Sequence, residues 1–333
     1  MPFLPRRSVL RRLAATAAAT LALPCLAAQP ADDAARTYPS KPIRLIVPYA
    51  VGGGTDVLGR IAAKELQDRL GQAVFVENKP GAAAISGTEF VARAPADGYT
   101  LLVAPSGPLV MNSVLRKSIP YSPQKDFVPI TVMGRLPLLI TVNAASPIQS
   151  MKDLIAFAKA KPNEATAASS APLFLLATEL FKQRTGTDFL LVPYKSSGES
   201  TTALVSGQVT MAIADVPPLA GLVRAGKLRA LAYADERRSS AFPDVPTVAE
   251  VGLPGTEVAT LVGLVAPAGT PAGIVRKVQD VLIEMTRRPE IRERFAAIGV
   301  EPMGSTSEEF ARAIQADTAR WAEVVRRANI QPE

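Results

Sequence analysis

From residue 43 onward the chain repeats one unit: a short β-rich run, a loop of small residues, then a stretch with helical apolar spacing. No other feature restricts the fold as strongly. Ile43-Arg44-Leu45-Ile46-Val47 reads as the first strand, 48–56 as a glycine-bearing loop, and 57–70 as a helix. Val57, Ile61, Leu66 and Leu70 share one helix face, and Gly71 follows as a stop. Strand 74–76, loop 78–84, helix 86–93, strand 99–103 and loop 104–108 continue the series. A second series begins with strand 138–142 and helix 151–160. Loop 169–173, helix 174–183, strand 189–192, helix 201–206, strand 209–214, helix 219–224 and strand 228–233 follow. A long loop over 235–255, a strand over 258–266 and amphipathic helices over 271–286 and 307–328 end the chain. A helix between two strands returns the chain across the sheet, so the strands it joins run parallel. The pattern predicts an α/β fold of two lobes, each a parallel sheet flanked by helices. Lobe 1 comprises 37–135 and 258–333 and lobe 2 comprises 136–257, with crossings near Gly134-Arg135-Leu136 and over 256–259.

In open α/β sheets, ligands bind outside the carboxyl ends of the strands. The loops expected there share a composition. Tyr49, Ala50, Gly53, Thr55 and Asp56, then Gly81, Ala82 and Ala83, then Ser106 and Gly107 come from the first lobe. Ser169, Ser170 and Ala171, then Tyr194, come from the second. Small residues let backbone approach a ligand closely, and free N–H groups at the following helix ends favour an anion. The phosphate-loop and dinucleotide fingerprints are both missing after the first strand. Thr55 or Asp56 also suits a helix N-cap. Asp215 ends the apolar run Met211-Ala212-Ile213-Ala214, either as a ligand contact or as the cap of the next helix. Lys195 and Arg135 read as surface charges, and Trp321 as core packing with Phe310, Ile314 and Val325.

Composition narrows the chemistry. Among 333 residues there are no histidines and one cysteine. A Ser-His-Asp triad, a Cys-His dyad and imidazole or thiolate metal sites are therefore excluded, and no catalytic residue, metal or cofactor is expected. Residues 1–28 read as an export signal: Arg6, Arg7, Arg11 and Arg12 precede an uncharged run over 13–23, with Ala27-Ala28 near a cleavage point. Arg6-Arg7-Ser8-Val9-Leu10-Arg11 resembles a twin-arginine motif, with an ordinary secretory signal as the alternative. Removing those four arginines lowers the net charge from +7 to +3. No Lys/Arg run with interleaved aromatics points to nucleic acid.

Tyr38-Pro39-Ser40-Lys41-Pro42-Ile43-Arg44-Leu45-Ile46-Val47-Pro48, with Gly52-Gly53 and Thr55-Asp56, resembles the opening of the tripartite tricarboxylate transporter substrate-binding proteins, the Bug family. Glu77-Asn78-Lys79-Pro80-Gly81-Ala82, Asp97-Gly98-Tyr99-Thr100-Leu101-Leu102, Val192-Pro193-Tyr194-Lys195, Ala225-Gly226-Lys227-Leu228-Arg229-Ala230-Leu231 and Pro243-Asp244-Val245-Pro246-Thr247 extend the likeness in order. The resemblance implies a type II periplasmic binding-protein fold with a ligand cleft between two lobes. It implies a monomer in the periplasm that captures a small organic anion, often a carboxylate, largely through backbone amides and water. The implied partner is a membrane permease of one large and one small subunit; a sensor kinase is the alternative. The chain departs from the family at Ala50-Val51, at Ala171-Pro172-Leu173-Phe174-Leu175, at Ser196 after Tyr194-Lys195, and at Asp215, one place after the usual acidic position. These departures lead us to expect a ligand less polar than a tricarboxylate.

Overall fold

The computed structural model describes residues 35–332, so the export signal over 1–28 lies outside the described residues. β1 (Ile43–Val47) leads into α1 (Gly54–Leu70), β2 (Val74–Asn78), a single turn (Ala82–Ala84), α2 (Ile85–Ala92) and β3 (Thr100–Pro105). A five-residue π turn (Gly107–Met111) and α3 (Asn112–Leu115) precede β4 (Phe127–Asn143), which is 17 residues long. Then come α4 (Met151–Ala160), β5 (Thr166–Ser169), α5 (Pro172–Thr185), β6 (Leu190–Pro193), α6 (Ser197–Val205), β7 (Met211–Asp215), α7 (Val216–Arg224) and β8 (Leu228–Tyr233). β9 (Ala259–Pro267), α8 (Ala272–Arg287), α9 (Pro289–Ala297), β10 (Glu301–Pro302) and α10 (Ser307–Arg327) complete the described chain.

The strands follow the order β2-β1-β3-β9-β4-β7-β5-β6, with β8 and β10 also paired to β4. The expectation of purely parallel sheets is corrected. β1, β2 and β3 are parallel, as are β5, β6 and β7, but β9 and β4 enter antiparallel. β9 and β4 are the strands that carry the chain from one half of the sheet to the other. β4 pairs with β9 as far as Pro137, then with β7 and β8 from Leu138 and Leu139. The second connection passes through Val258, whose N–H donates to Ala234 O and whose carbonyl accepts from Leu138 N.

Alternation along β1 sends Leu45 and Val47 to one core and Ile46 to the other. α1 covers the first core with Leu58, Ile61 and Leu66, and α8 joins it with Ile274, Val278 and Leu282 at helical spacing. α1 ends where Gly71 takes φ 72° and its N–H returns to Gln67 O, the left-handed stop that glycine favours. α10 buries Phe310, Ile314 and Trp321, as expected of core packing, and lies against β4, the π turn, α3 and α5. It therefore touches both halves: Gln183 of α5 donates to Val324 O. The charges over 290–294 form a solvated helical face on α9, with Ile291 and Phe295 buried beneath it.

Arg135 is not a free surface charge. It pairs with the buried Asp235 and, at 2.9 Å, with Glu301, tying the two halves beside the strand that joins them.

Candidate functional site

The turn between β1 and α1 is braced from below. Asp56 lies inside the first turn of α1 and is 2% exposed. It accepts from Gly52 N, Arg60 Nε and Asn78 Nδ2, each at 3.0 Å, and Asn78 Nδ2 also holds Tyr49 O. Burial opposes its charge, but the hydrogen bonds from Arg60, Asn78 and Gly52 outweigh burial and hold the carboxyl below the usual aspartate range. The expectation that Thr55 or Asp56 caps the helix is corrected: Gly53 occupies the N-cap and no side chain caps it.

The neighbouring turn stores strain. Gly81, Ala83 and Ala84 have φ of 137°, 55° and 72°. Left-handed alanines cost roughly 1–2 kcal/mol each. The left-handed Ala84 passes directly into α2, a backbone form that turns successive N–H groups to one side. α2 sits close because residue 87 is glycine: a Cβ there would meet Lys79 O at 2.6 Å and Pro48 Cα at 3.0 Å.

Between the halves lies a cavity of about 790 Å³. Tyr49, Ala50, Gly81 and Ala83 line it from the first half, and Ser169, Ser170, Ala171 and Tyr194 from the second. A narrower recess of about 40 Å³ adjoins it, where Gly53, Thr55, Gly107 and Asp215 meet. Sequence reasoning thus brings twelve of its fifteen candidates to one cleft. Two others lie elsewhere. Asp56 is spent on the loop brace. Ser106 turns to β9, where its hydroxyl accepts from Leu261 N at 3.0 Å. The backbone of Ala82 belongs to the strained turn.

Asp215 stands where the sheets change over. It pairs with Leu138, the first residue of β4 beyond β9, and its Oδ1 accepts from Thr260 Oγ1 of β9 at 2.7 Å. Asp215 does occupy the N-cap position of α7, as the capping alternative expects, but its side chain makes no cap bond there. Burial pushes its carboxyl up to about 6, against the lowering effect of Thr260.

Several cleft residues escaped the sequence reading. Lys195 is exposed, as expected of a surface charge, and also lines both the cavity and the recess. Ser196 caps α6 by accepting from Glu199 N at 3.2 Å, and Glu199 reaches back past the cap to Lys195 N at 3.1 Å. Arg116, Leu115 and Asn112 come from α3 and its end, and Ile330 and Gln331 from beyond α10. Pro172 and Leu175 follow Ala171 along the cavity wall. Among the described residues no cluster of three or more His, Cys, Asp or Glu suits a metal ion. No described helix is long and apolar enough to cross a membrane.

Residues 58–330 match the family described as the tripartite tricarboxylate transporter family receptor. The chain belongs to this family. It is 40% identical over 299 residues to the protein BugT of Bordetella pertussis, covering 89% of this chain and 92% of that one. An R. palustris protein solved with adipate shares 34% identity, with a TM-score of 0.87 over 89% of this chain and all of the other. MatC of Rhodopseudomonas palustris, solved with malate, shares 29% identity, with a TM-score of 0.81 over 86% of this chain and all of that one. The receptor fold is thus the two-lobed α/β fold expected from the sequence, and this family's members are periplasmic solute-binding proteins rather than enzymes.

Proposed function

We propose that this receptor captures a small carboxylate in the cleft by closing its halves, and releases it unaltered to a membrane permease of one large and one small subunit. The observation that carries the reading is the strained, glycine-bearing backbone lining the 790 Å³ cavity at 81–84, facing the small and hydroxyl-bearing residues at 169–171. Free N–H groups there suit an anionic head without an ion pair. The bodies that move are 37–135 with 258–333 against 136–257. They turn about the β4 changeover and the connection at Val258, and ligand contacts to both favour the closed state. The chain acts as a monomer in the periplasm after removal of 1–28.

The ligand is less polar than a tricarboxylate. Ala171, Pro172 and Leu175 line the cavity on one side and Leu115 and Ile330 on another. A body with a few methylenes or a ring gains from that wall about 25 cal/mol per Å² of apolar surface buried. The adipate found in one neighbour, with a four-methylene spacer, fits this description better than citrate does. A thermal-shift screen of organic acids on the mature chain, followed by calorimetry, tests the reading. A bound acid at 100 times its Kd is expected to add roughly 2.7 kcal/mol of stability. Tightest binding by citrate, or conversion of any acid to product, overturns it.

A further inference from the structure

α10 closes on a built turn. Asn329 takes φ 52°, the left-handed form that asparagine tolerates better than most residues. Its N–H returns to Arg326 O at 3.2 Å, and the Ile330 N–H returns to Val325 O at 3.1 Å. That pair of bonds is the Schellman closure of a helix, which reverses the chain. Ile330 is thereby folded back toward the core that holds Val325, and it lines the cavity. The helix behind it is firmly seated. Trp321, Val324 and Val325 are buried, and α10 lies against the π turn and α3 of the first half and α5 of the second.

Ile330 shares the cavity wall with Leu115, at the end of α3, and with Leu175 of α5. All three are only partly buried and pack against the same core, so each keeps apolar surface that a ligand can cover. Their place relative to the strained turn follows from α3. Asn112, its first residue, donates from Nδ2 to Ala83 O at 3.0 Å, so the start of α3 adjoins the backbone assigned above to the carboxylate head. Leu115 stands three residues further on, about 4.5 Å along the helix axis. An acid with one carbon beyond its head does not span that interval, and one with several carbons does. We infer that the turn over 328–331 is part of the ligand site, with Ile330 as a specificity-determining residue that reads the length of the acid's body. Burying the end of a longer body against Ile330 removes apolar surface of both from water, a gain that a short acid forgoes. The Asn329 turn is what holds Ile330 in place for this. The inference rests on the carboxylate reading of the cleft and adds to it the residue that measures the acid.

Calorimetry on the intact mature protein with acetate, hexanoate and octanoate tests it. The unaltered protein is expected to bind hexanoate or octanoate about tenfold or more tighter than acetate. In Ile330→Ala the longer acids are expected to lose roughly three- to tenfold while acetate stays within about twofold, and Ile330→Leu is expected to restore them. A second pair of variants tests the turn. Asn329→Gly keeps the left-handed form and is expected to bind every acid as the unaltered protein does. Asn329→Val resists that form and is expected to repeat the length-selective loss. A loss shared equally by acetate and the longer acids overturns the inference, since a merely structural role of the turn predicts it. Unchanged binding of the longer acids to Ile330→Ala overturns it too, as does a preference for acetate in the unaltered protein; each leaves the carboxylate reading standing. Failure of every acid to bind defeats the carboxylate reading, and the inference with it. Residue 329 is exposed, so its two variants decide the matter even if Ile330→Ala does not fold.

Discussion

The two edges of the cleft are built by different means. On one edge, 48–55 and 80–84 present backbone: glycines, left-handed alanines, and a helix start with no side-chain cap. On the other, 169–175 and 194–199 present side chains: serines, an apolar run from Ala171 to Leu175, and the Lys195 and Glu199 charges, with Asp215 at the base. Backbone can be aimed only by strain and bracing, which is why Asp56, Asn78, Gly87 and Asn112 crowd behind the first edge. Side chains can be exchanged one at a time without moving the chain. The first edge therefore suits the part common to all ligands, the anionic head. The second suits what distinguishes one ligand from another.

The largest expected effect comes from the base of the second edge. The folded chain holds a proton on Asp215 more tightly than the unfolded chain does, because burial pushes this carboxyl up to about 6. Its contribution to stability is complete below the ordinary aspartate range and is lost as the pH rises through about 6. Around pH 8 the buried carboxylate costs the fold on the order of 2–3 kcal/mol. Asp215→Asn keeps an acceptor for Thr260 and removes that cost. Thermal unfolding should show the variant several degrees more stable at pH 8 and unchanged near pH 4.

Gly81→Val attacks the first edge. With φ at 137°, residue 81 lies where a branched side chain costs about 1–3 kcal/mol. The turn is expected to shift, and affinity for every acid to fall roughly 10- to 100-fold by calorimetry, at about 1.4 kcal/mol per tenfold. A change confined to one class of acid would break the division between the edges. Leu175→Ala makes the opposite test. Hexanoate is expected to lose roughly three- to tenfold in affinity, at about 0.8 kcal/mol per methylene contact, while acetate stays within about twofold. Smallest is Ala83→Gly, which relieves a left-handed alanine. Unfolding should show a gain of up to about 1 kcal/mol, accompanied by a few-fold weaker binding as the turn loosens.

The same contrast explains what the sequence discloses. The backbone-built edge is legible because its means are residue types: Gly52-Gly53-Gly54 and Pro80-Gly81 announce turns at strand ends, and the α/β order says which ends face a ligand. Ala83 and Ala84 carry no such mark, since alanine does not advertise a left-handed backbone. β4 is hidden for a related reason. Pro129, Gly134 and Pro137 read as breakers, yet the strand absorbs two register shifts over this stretch, and Gly134 admits Val300 and Leu58 against its backbone. Asn112 follows the apolar run Leu109-Val110-Met111 and gives no polar pattern to notice. Thr260 lies 45 residues from Asp215, and Ile330 reaches the cavity from the far end of the chain, so only the folded topology could bring them in.

The central claim is that the acid's head is held by main-chain groups of the first edge. A crystal structure of the mature protein with its tightest acid tests this most directly. The account predicts a carboxylate within hydrogen-bond reach of N–H groups in 49–55 or 81–85, directly or through one water, with the acid's body against Ala171 and Leu175. A carboxylate paired instead with Lys195 or Arg116, with the 81–84 turn facing bulk solvent, would contradict it.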